Sequence, residues 1–218
     1  LPNFTSFKAS EVEPAVETLI ENINTQIKEI DTKKNKETIL KDLEKIDLYI
    51  QKIWGPVAHL ISVANSKELR DTYETCQEKI VKLGLSLAQN KTIHKLLSSL
   101  KSSNLYNKMN ASEQRLLSKK LLENKLMGID LDAKNKERFN EICQELNALS
   151  TRFSNNILDA TKAYELVLKD KEDVEGLPKI LLEMAFSAYK KKYLDGKENL
   201  NNNTESGPWL ITLDAPSL

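Results

Sequence analysis

The 218-residue chain is 40% hydrophobic and 29% charged, and its 32 basic and 32 acidic side chains cancel to a formal net charge of zero. A chain of this length buries roughly 70% of its unfolded surface without needing disulfides or metal, and neutrality removes any overall pull toward phosphate backbones or anionic lipid. No basic run exceeds Lys190-Lys191-Lys192 and no apolar stretch approaches the roughly 20 residues that span a bilayer, so neither nucleic acid nor membrane is expected as a partner.

The only two cysteines, Cys76 and Cys143, are far apart and outside any CxxC spacing. That pattern fits a reducing compartment, so a cytoplasmic location is expected, with both thiols serving as small core hydrophobes. Leu1 stands first and no charged segment followed by an apolar one comes after it, so the start is read as processed or cut. The four Asn-x-Ser/Thr sequons at Asn3, Asn90, Asn110 and Asn202 carry no weight in a chain this rich in Asn, Ser and Thr.

Gly and Pro number six each, and between them apolar residues recur every three or four positions, the period of an amphipathic helix. A mostly α fold is expected, with a small two-stranded β element near the C-terminal end. Val16, Leu19, Ile20, Ile23, Ile27 and Ile30 form the stripe of a first helix over about 13–31, with Pro14 suited to its first turn. After the polar Asp31 to Asn35 segment, Ile39, Leu40, Leu43, Ile46, Ile50 and Ile53 form a second stripe, predicted to break at Trp54-Gly55-Pro56 because Pro cannot donate a helical hydrogen bond. A short helix over 57–64 is expected to follow.

Asn65-Ser66 supplies cap chemistry for a helix carrying Leu69, Tyr73, Cys76, Ile80, Leu83 and Leu87, and a shorter helix is expected from Ile93 to Leu100. Asn110 with Glu113 reads as a capping box, and the helix behind it should stop at Gly128. Asp132 is placed to cap the longest helix, whose stripe of Phe139, Ile142, Cys143, Leu146, Leu149, Phe153 and Ile157 reaches about residue 158. Strands are predicted at 164–168 and 209–213 from their β-branched and aromatic content, with a helix of about 178–191 between them and a mobile polar loop over 195–207. Two strands alone leave unpaired edges, so further partner structure is expected beyond Leu218. The organisation expected is a helical domain over 1–160 and a strand-helix-strand segment over 161–218.

His59 and His94 lie 35 positions apart, without a second His or an acidic residue at metal-ligand spacing. Packing or capping is the plainer role for His59 and surface exposure for His94. No Gly-rich phosphate loop, Gly-x-Ser-x-Gly elbow or Cys with a neighbouring base is present. Most charges read as solvated helix face, with Glu37 and Lys41 as an i,i+4 ion-pair candidate. The densest polar cluster runs from Arg152 to Thr161. There Asn155, Asn156, Asp159 and Thr161 are read first as caps for the end of the long helix and second as substrate contacts. Trp54 and Trp209 are read as core aromatics.

Several segments carry a resemblance in their order and separation. They are Phe7 through Pro14-Ala15-Val16, Trp54-Gly55-Pro56-Val57-Ala58-His59-Leu60, Val63-Ala64-Asn65-Ser66-Lys67-Glu68-Leu69-Arg70 and Gly128-Ile129-Asp130-Leu131. Phe153 to Thr161 with Glu175-Gly176-Leu177-Pro178, and Trp209 to Ser217, complete the set. In this order they resemble the N-terminal part of the thimet oligopeptidase and oligopeptidase A family of zinc metallopeptidases, along the whole chain.

The resemblance implies two mostly helical halves facing each other across a deep channel, with zinc held at its floor by the two His of a His-Glu-x-x-His helix and a more distant Glu. The motif Glu would activate zinc-bound water against a peptide carbonyl, and the narrow channel would admit short unfolded peptides. This sequence has no His-Glu-x-x-His, so no catalytic residue or metal ligand is carried onto it. Truncation is the expected reason for that absence. The chain is then expected to be a channel wall that binds no zinc and cleaves no peptide by itself. Its partners would be a C-terminal catalytic domain of the same chain and, in the whole enzyme, oligopeptide substrates. His59, Asn155, Asn156 and Asp159 are the substrate-channel candidates. The Lys- and Asn-rich composition points to an AT-rich, bacterial genome. A stand-alone helical module binding a partner helix or peptide, and a regulatory homologue without its catalytic half, are the other readings.

Overall fold

The computed structural model describes residues 4–194 and 204–213, which divide between Ser150 and Thr151 into two compact units. Among the described residues there are seven α-helices and one two-stranded antiparallel sheet. This is the mostly α fold with a small C-terminal β element that the apolar periodicity predicts. Of the predicted 195–207 loop, residues 195–203 lie outside the described residues, and 204–206 form a turn.

The first unit begins with two short 3-10 turns and then α1 (Val12–Lys33), α2 (Ile39–Val63), α3 (Lys67–Ala88), α4 (Lys91–Lys101) and α5 (Ala111–Leu126). The stripes read from sequence do face inward. Leu19, Ile23 and Ile30 of α1 meet Ile39, Leu43 and Ile46 of α2, Leu83 of α3, Ile93, Leu97 and Leu100 of α4 and Leu117 of α5 in one buried cluster. A second cluster, Val12, Val16, Val57, Leu69 and Cys76, packs the start of α1 against α2 and α3. Each such side chain is worth about 1.5–3 kcal/mol when withdrawn from water, which makes these two clusters the main source of the unit's stability. Lys79 of α3 pins the rim, reaching Glu13 at 2.8 Å and Glu17 at 2.9 Å on α1. The two carboxylates raise its ammonium pKa.

The break predicted at Trp54-Gly55-Pro56 does not occur: α2 runs through Pro56 to Val63, so no separate 57–64 helix exists. Proline removes one intrahelical donor and disfavours helical geometry in the residue before it by clashing with that residue's Cβ. Gly55 has no Cβ to clash, and the carbonyl stranded four residues back belongs to exposed Lys52, where water can satisfy it. The burial of Val57 on the same face as Ile46 then keeps the helix in register. Glu37 falls in the turn before α2, so it and Lys41 do not share a helix and the expected ion pair is absent.

The caps follow the sequence more closely. Ser66 accepts from Leu69 N at 3.2 Å, and Asn90, given no role in advance, accepts from Ile93 N at 2.9 Å to start α4. Helix α5 ends in a Schellman motif: Gly128, at φ +83°, donates to Lys125 O, while Ile129 donates to Asn124 O. Asn124 is itself buried and donates to Ala88 O at 2.6 Å, tying α5 to the end of α3.

Helix α6 (Ala133–Ala163) opens on Asp132, whose Oδ1 accepts from Asn135 N at 2.9 Å. It runs about five residues past its predicted end and none of its described side chains is buried. Of its apolar stripe, Phe139 and Cys143 are half-buried, while Ile142, Leu146, Leu149, Phe153 and Ile157 are exposed. Of the two cysteines, Cys76 is buried and Cys143 only half-buried.

The second unit holds β1 (Leu166–Leu168), α7 (Lys179–Tyr193) and β2 (Trp209–Ile211). The strands are shorter than predicted and pair antiparallel, Leu166 with Ile211 and Leu168 with Trp209. Trp209, Val174 and Ala185 form a small core, with Leu168, Leu182 and Phe186 packed on it. The indole N–H of Trp209 donates to Thr204 O at 3.1 Å.

Candidate functional site

His59 sits on α2, one turn beyond Pro56, and its ring is exposed. Phe4 lies across it with ring centroids 5.6 Å apart and planes at 52°. Leu48, Gln51, Lys52, Gly55 and Pro56 complete a shallow groove of ≈ 630 Å³ around the pair. The uninterrupted helix creates this groove: only because α2 continues past Pro56 do Lys52, Gly55, Pro56 and His59 share a face. The groove offers an apolar floor, an imidazole and an ammonium, but none of its lining residues is a carboxylate to orient the imidazole. That suits contact with an apolar or carbonyl-bearing chain better than acid-base chemistry.

His94, expected at the surface, is half-buried on α4, and its Nδ1 lies out of contact with solvent. It follows directly on buried Ile93, so the short helix turns part of its ring inward.

Two of the telling sequence motifs prove to be joints of the fold. Trp54 stacks on Tyr73 of α3 at 4.8 Å and 20°, fastening α2 to α3, and burial pushes the Tyr73 phenol pKa up. In the Asn65 to Arg70 motif, the Asn65 amide donates to Ile61 O at 2.9 Å while its Oδ1 accepts from Arg70 Nε. A single side chain thus closes the end of α2 and holds the first turn of α3, beside the Ser66 cap. Sequence reasoning found the cap but not this bridge, because a contact between two side chains across a helix start has no spacing pattern of its own.

Asn155, Asn156 and Asp159 lie in the second unit, on the last turns of α6. The reading of this cluster as a C-terminal cap is corrected, because the helix continues to Ala163 and these residues sit inside it. Asn155 is half-buried, Asn156 and Asp159 are exposed, and both Asn155 and Asp159 have interaction partners. Asn155 and Asp159 share one helix face by their i,i+4 spacing, and Asn156 stands one position around from Asn155. His59 belongs to the first unit, so the four candidates do not form one constellation within either compact unit.

A polar groove of ≈ 370 Å³ within the first unit is lined by Glu74, Gln77, Glu78 and Val81 of α3 and Gln144, Glu145, Asn147 and Ala148 of α6. Amides and carboxylates from both helices line it. Near its end, Gln89, the residue that follows α3, donates to Asn140 of α6 at 2.7 Å.

Among the described residues no group of three His, Cys, Asp or Glu is placed to hold a metal ion, so the donor set needed for tetrahedral zinc is not supplied by them. No helix among them is long and apolar enough to cross a membrane.

A family model, the N-terminal domain of neurolysin and thimet oligopeptidase, matches residues 16–136. Organellar oligopeptidase A of Arabidopsis thaliana, a chloroplastic/mitochondrial protein by its name, is 37% identical over 218 residues, covering 99% of this chain and 27% of the relative. The probable cytosolic oligopeptidase A of the same plant is 36% identical, with 99% and 30% covered. Oligopeptidase A of Escherichia coli is 27% identical, with 100% and 31% covered. The chain thus spans less than a third of the length of these relatives, which come from plants and bacteria alike.

Proposed function

The chain belongs to the neurolysin/thimet oligopeptidase N-terminal-domain family, and from that premise we propose that it is the non-catalytic helical wall of a longer zinc-dependent oligopeptidase. The longer protein would hydrolyse internal bonds of short, unfolded peptides, using a His-Glu-x-x-His helix supplied from outside these 218 residues. The observation that carries this reading is the match of 99% of the chain to an oligopeptidase A of which it covers only 27%. The helical make-up fits this reading, since the described helices present exposed polar side chains that a wall along a peptide path would use.

In this reading His59 with its groove in the first unit, and Asn155, Asn156 and Asp159 in the second, are each positions for contact with peptide backbone, since imidazole, amide and carboxylate groups can pair with peptide N–H and C=O groups. The segment 161–218 leads into the catalytic region, which is the partner of the helical domain 1–160. We place the protein in the cytoplasm, in line with the cytosolic relative by name. Reading the gene onward from Leu218 tests the proposal. A His-Glu-x-x-His within the next few hundred codons supports it, and a nearby stop codon in the native gene rejects it in favour of a free-standing interaction module.

A further inference from the structure

Helix α6 is amphipathic in the opposite sense to its neighbours. Within the first unit, its polar side faces inward: Asn140 meets Gln89, and Gln144, Asn147 and Ala148 line the seam with α3. Its apolar side faces away, with Ile142 39%, Leu146 58% and Leu149 48% exposed. Steps of four and three residues keep these side chains on one narrow face, the spacing of a helix-helix seam. A surface helix whose apolar side needed only to be hidden from water would turn it toward α3, so the outward face calls for a second partner.

We propose that the apolar face of α6 is the docking seam for an amphipathic helix from the part of the longer chain that lies outside these 218 residues. This rests on the reading of the chain as a portion of a longer peptidase. The occupant is identified by length and linkage: the relatives are more than three times as long as this chain, which covers 27% to 31% of three of them. A helix on the same polypeptide meets α6 at an effective concentration that a second copy or a separate partner does not reach.

The test uses the full-length protein, with a benzophenone amino acid in place of Leu146 on the seam and, as control, in place of Glu137 on the polar side. Light- and heavy-isotope protein are mixed before irradiation so that links between copies carry mixed label. The seam position is expected to link to peptides downstream of residue 218 within one molecule, and that link is expected to be lost at position 137. Links only to residues 1–218, mixed-label links between copies, or no link at all would overturn the proposal. Peptidase activity of the labelled protein is measured alongside. An active enzyme without the downstream link rejects the seam and leaves the functional reading standing, whereas an inactive unlabelled protein rejects the functional reading itself.

Discussion

Asn110 and Glu113 satisfy each other across the first turn of α5: Asn110 Oδ1 accepts from Glu113 N at 3.0 Å, and Glu113 Oε2 accepts from Asn110 N at 3.0 Å. Two helix-start donors are paired by one reciprocal contact. Asn110→Ala is expected to lower unfolding free energy by about 1 kcal/mol. Glu113→Ala should cost less, and the double variant should cost less than the sum. Urea unfolding of the four proteins checks this, and strict additivity would contradict the coupling.

Two glycines should respond in opposite directions to alanine. At Gly128, φ is +83° and an added Cβ would lie 2.8 Å from Leu131 Cδ1, so Gly128→Ala is expected to cost about 1–2 kcal/mol. Gly84 lies inside α3 with nothing within reach of a Cβ, and Gly84→Ala should add up to about 1 kcal/mol. Thermal melts read both.

The start of α6 carries a pH dependence. The Asn135 backbone N–H and side-chain amide hold the Asp132 carboxyl below its ordinary pKa. A depressed carboxylate contributes stability in full above its unfolded pKa and loses it as pH falls through the folded value, so the effect appears only on the acid side. Asp132→Asn should remove that acid-side loss while keeping an Oδ1 acceptor for the cap; Asp132→Ala should lose the cap at every pH. Denaturant titrations at neutral pH and below distinguish the two.

The two thiols should differ in reactivity. Burial pushes the Cys76 thiol pKa up and nearby Glu13 adds to the effect, so alkylation of native protein is expected at half-buried Cys143 first. Peptide mapping after brief iodoacetamide treatment checks the order.

Core and seam should separate as well. Leu97 is fully buried, and Leu97→Ala is expected to cost about 2–5 kcal/mol. Leu146, 58% exposed, should change the stability of the 218-residue chain by no more than about 0.5 kcal/mol on truncation. Equal losses at the two sites would mean that α6 buries its apolar face within this chain.

Several helix starts and stops set by a local group were readable: Ser66, Asn110, Gly128 and Asp132 act through neighbours within five residues, which sequence spacing displays, although the equally local cap Asn90 was passed over. Apolar spacing told which faces of α1, α2 and α3 turn inward, because those helices pack on one another. It misled where the outcome depends on what lies beside the helix. Pro56 is tolerated because Gly55 has no Cβ and Lys52 is exposed, and Cys143 on the α6 stripe was expected in the core because periodicity reports a face without reporting what covers it. At the candidate site, the residues of the Trp54 and Asn65 motifs turned out to be helix joints. The groove around His59 depends on Phe4, some 55 positions away, which no local pattern connects to it.

The central claim, that this chain is the non-catalytic wall of a longer zinc oligopeptidase, is met most directly by cleavage of a quenched oligopeptide by the 218-residue chain and by the full-length protein, each with and without a zinc chelator. The account predicts cleavage by the full-length protein alone, abolished by chelator and restored by zinc. Chelator-sensitive cleavage by the purified 218-residue chain, or no cleavage by either protein, would contradict it.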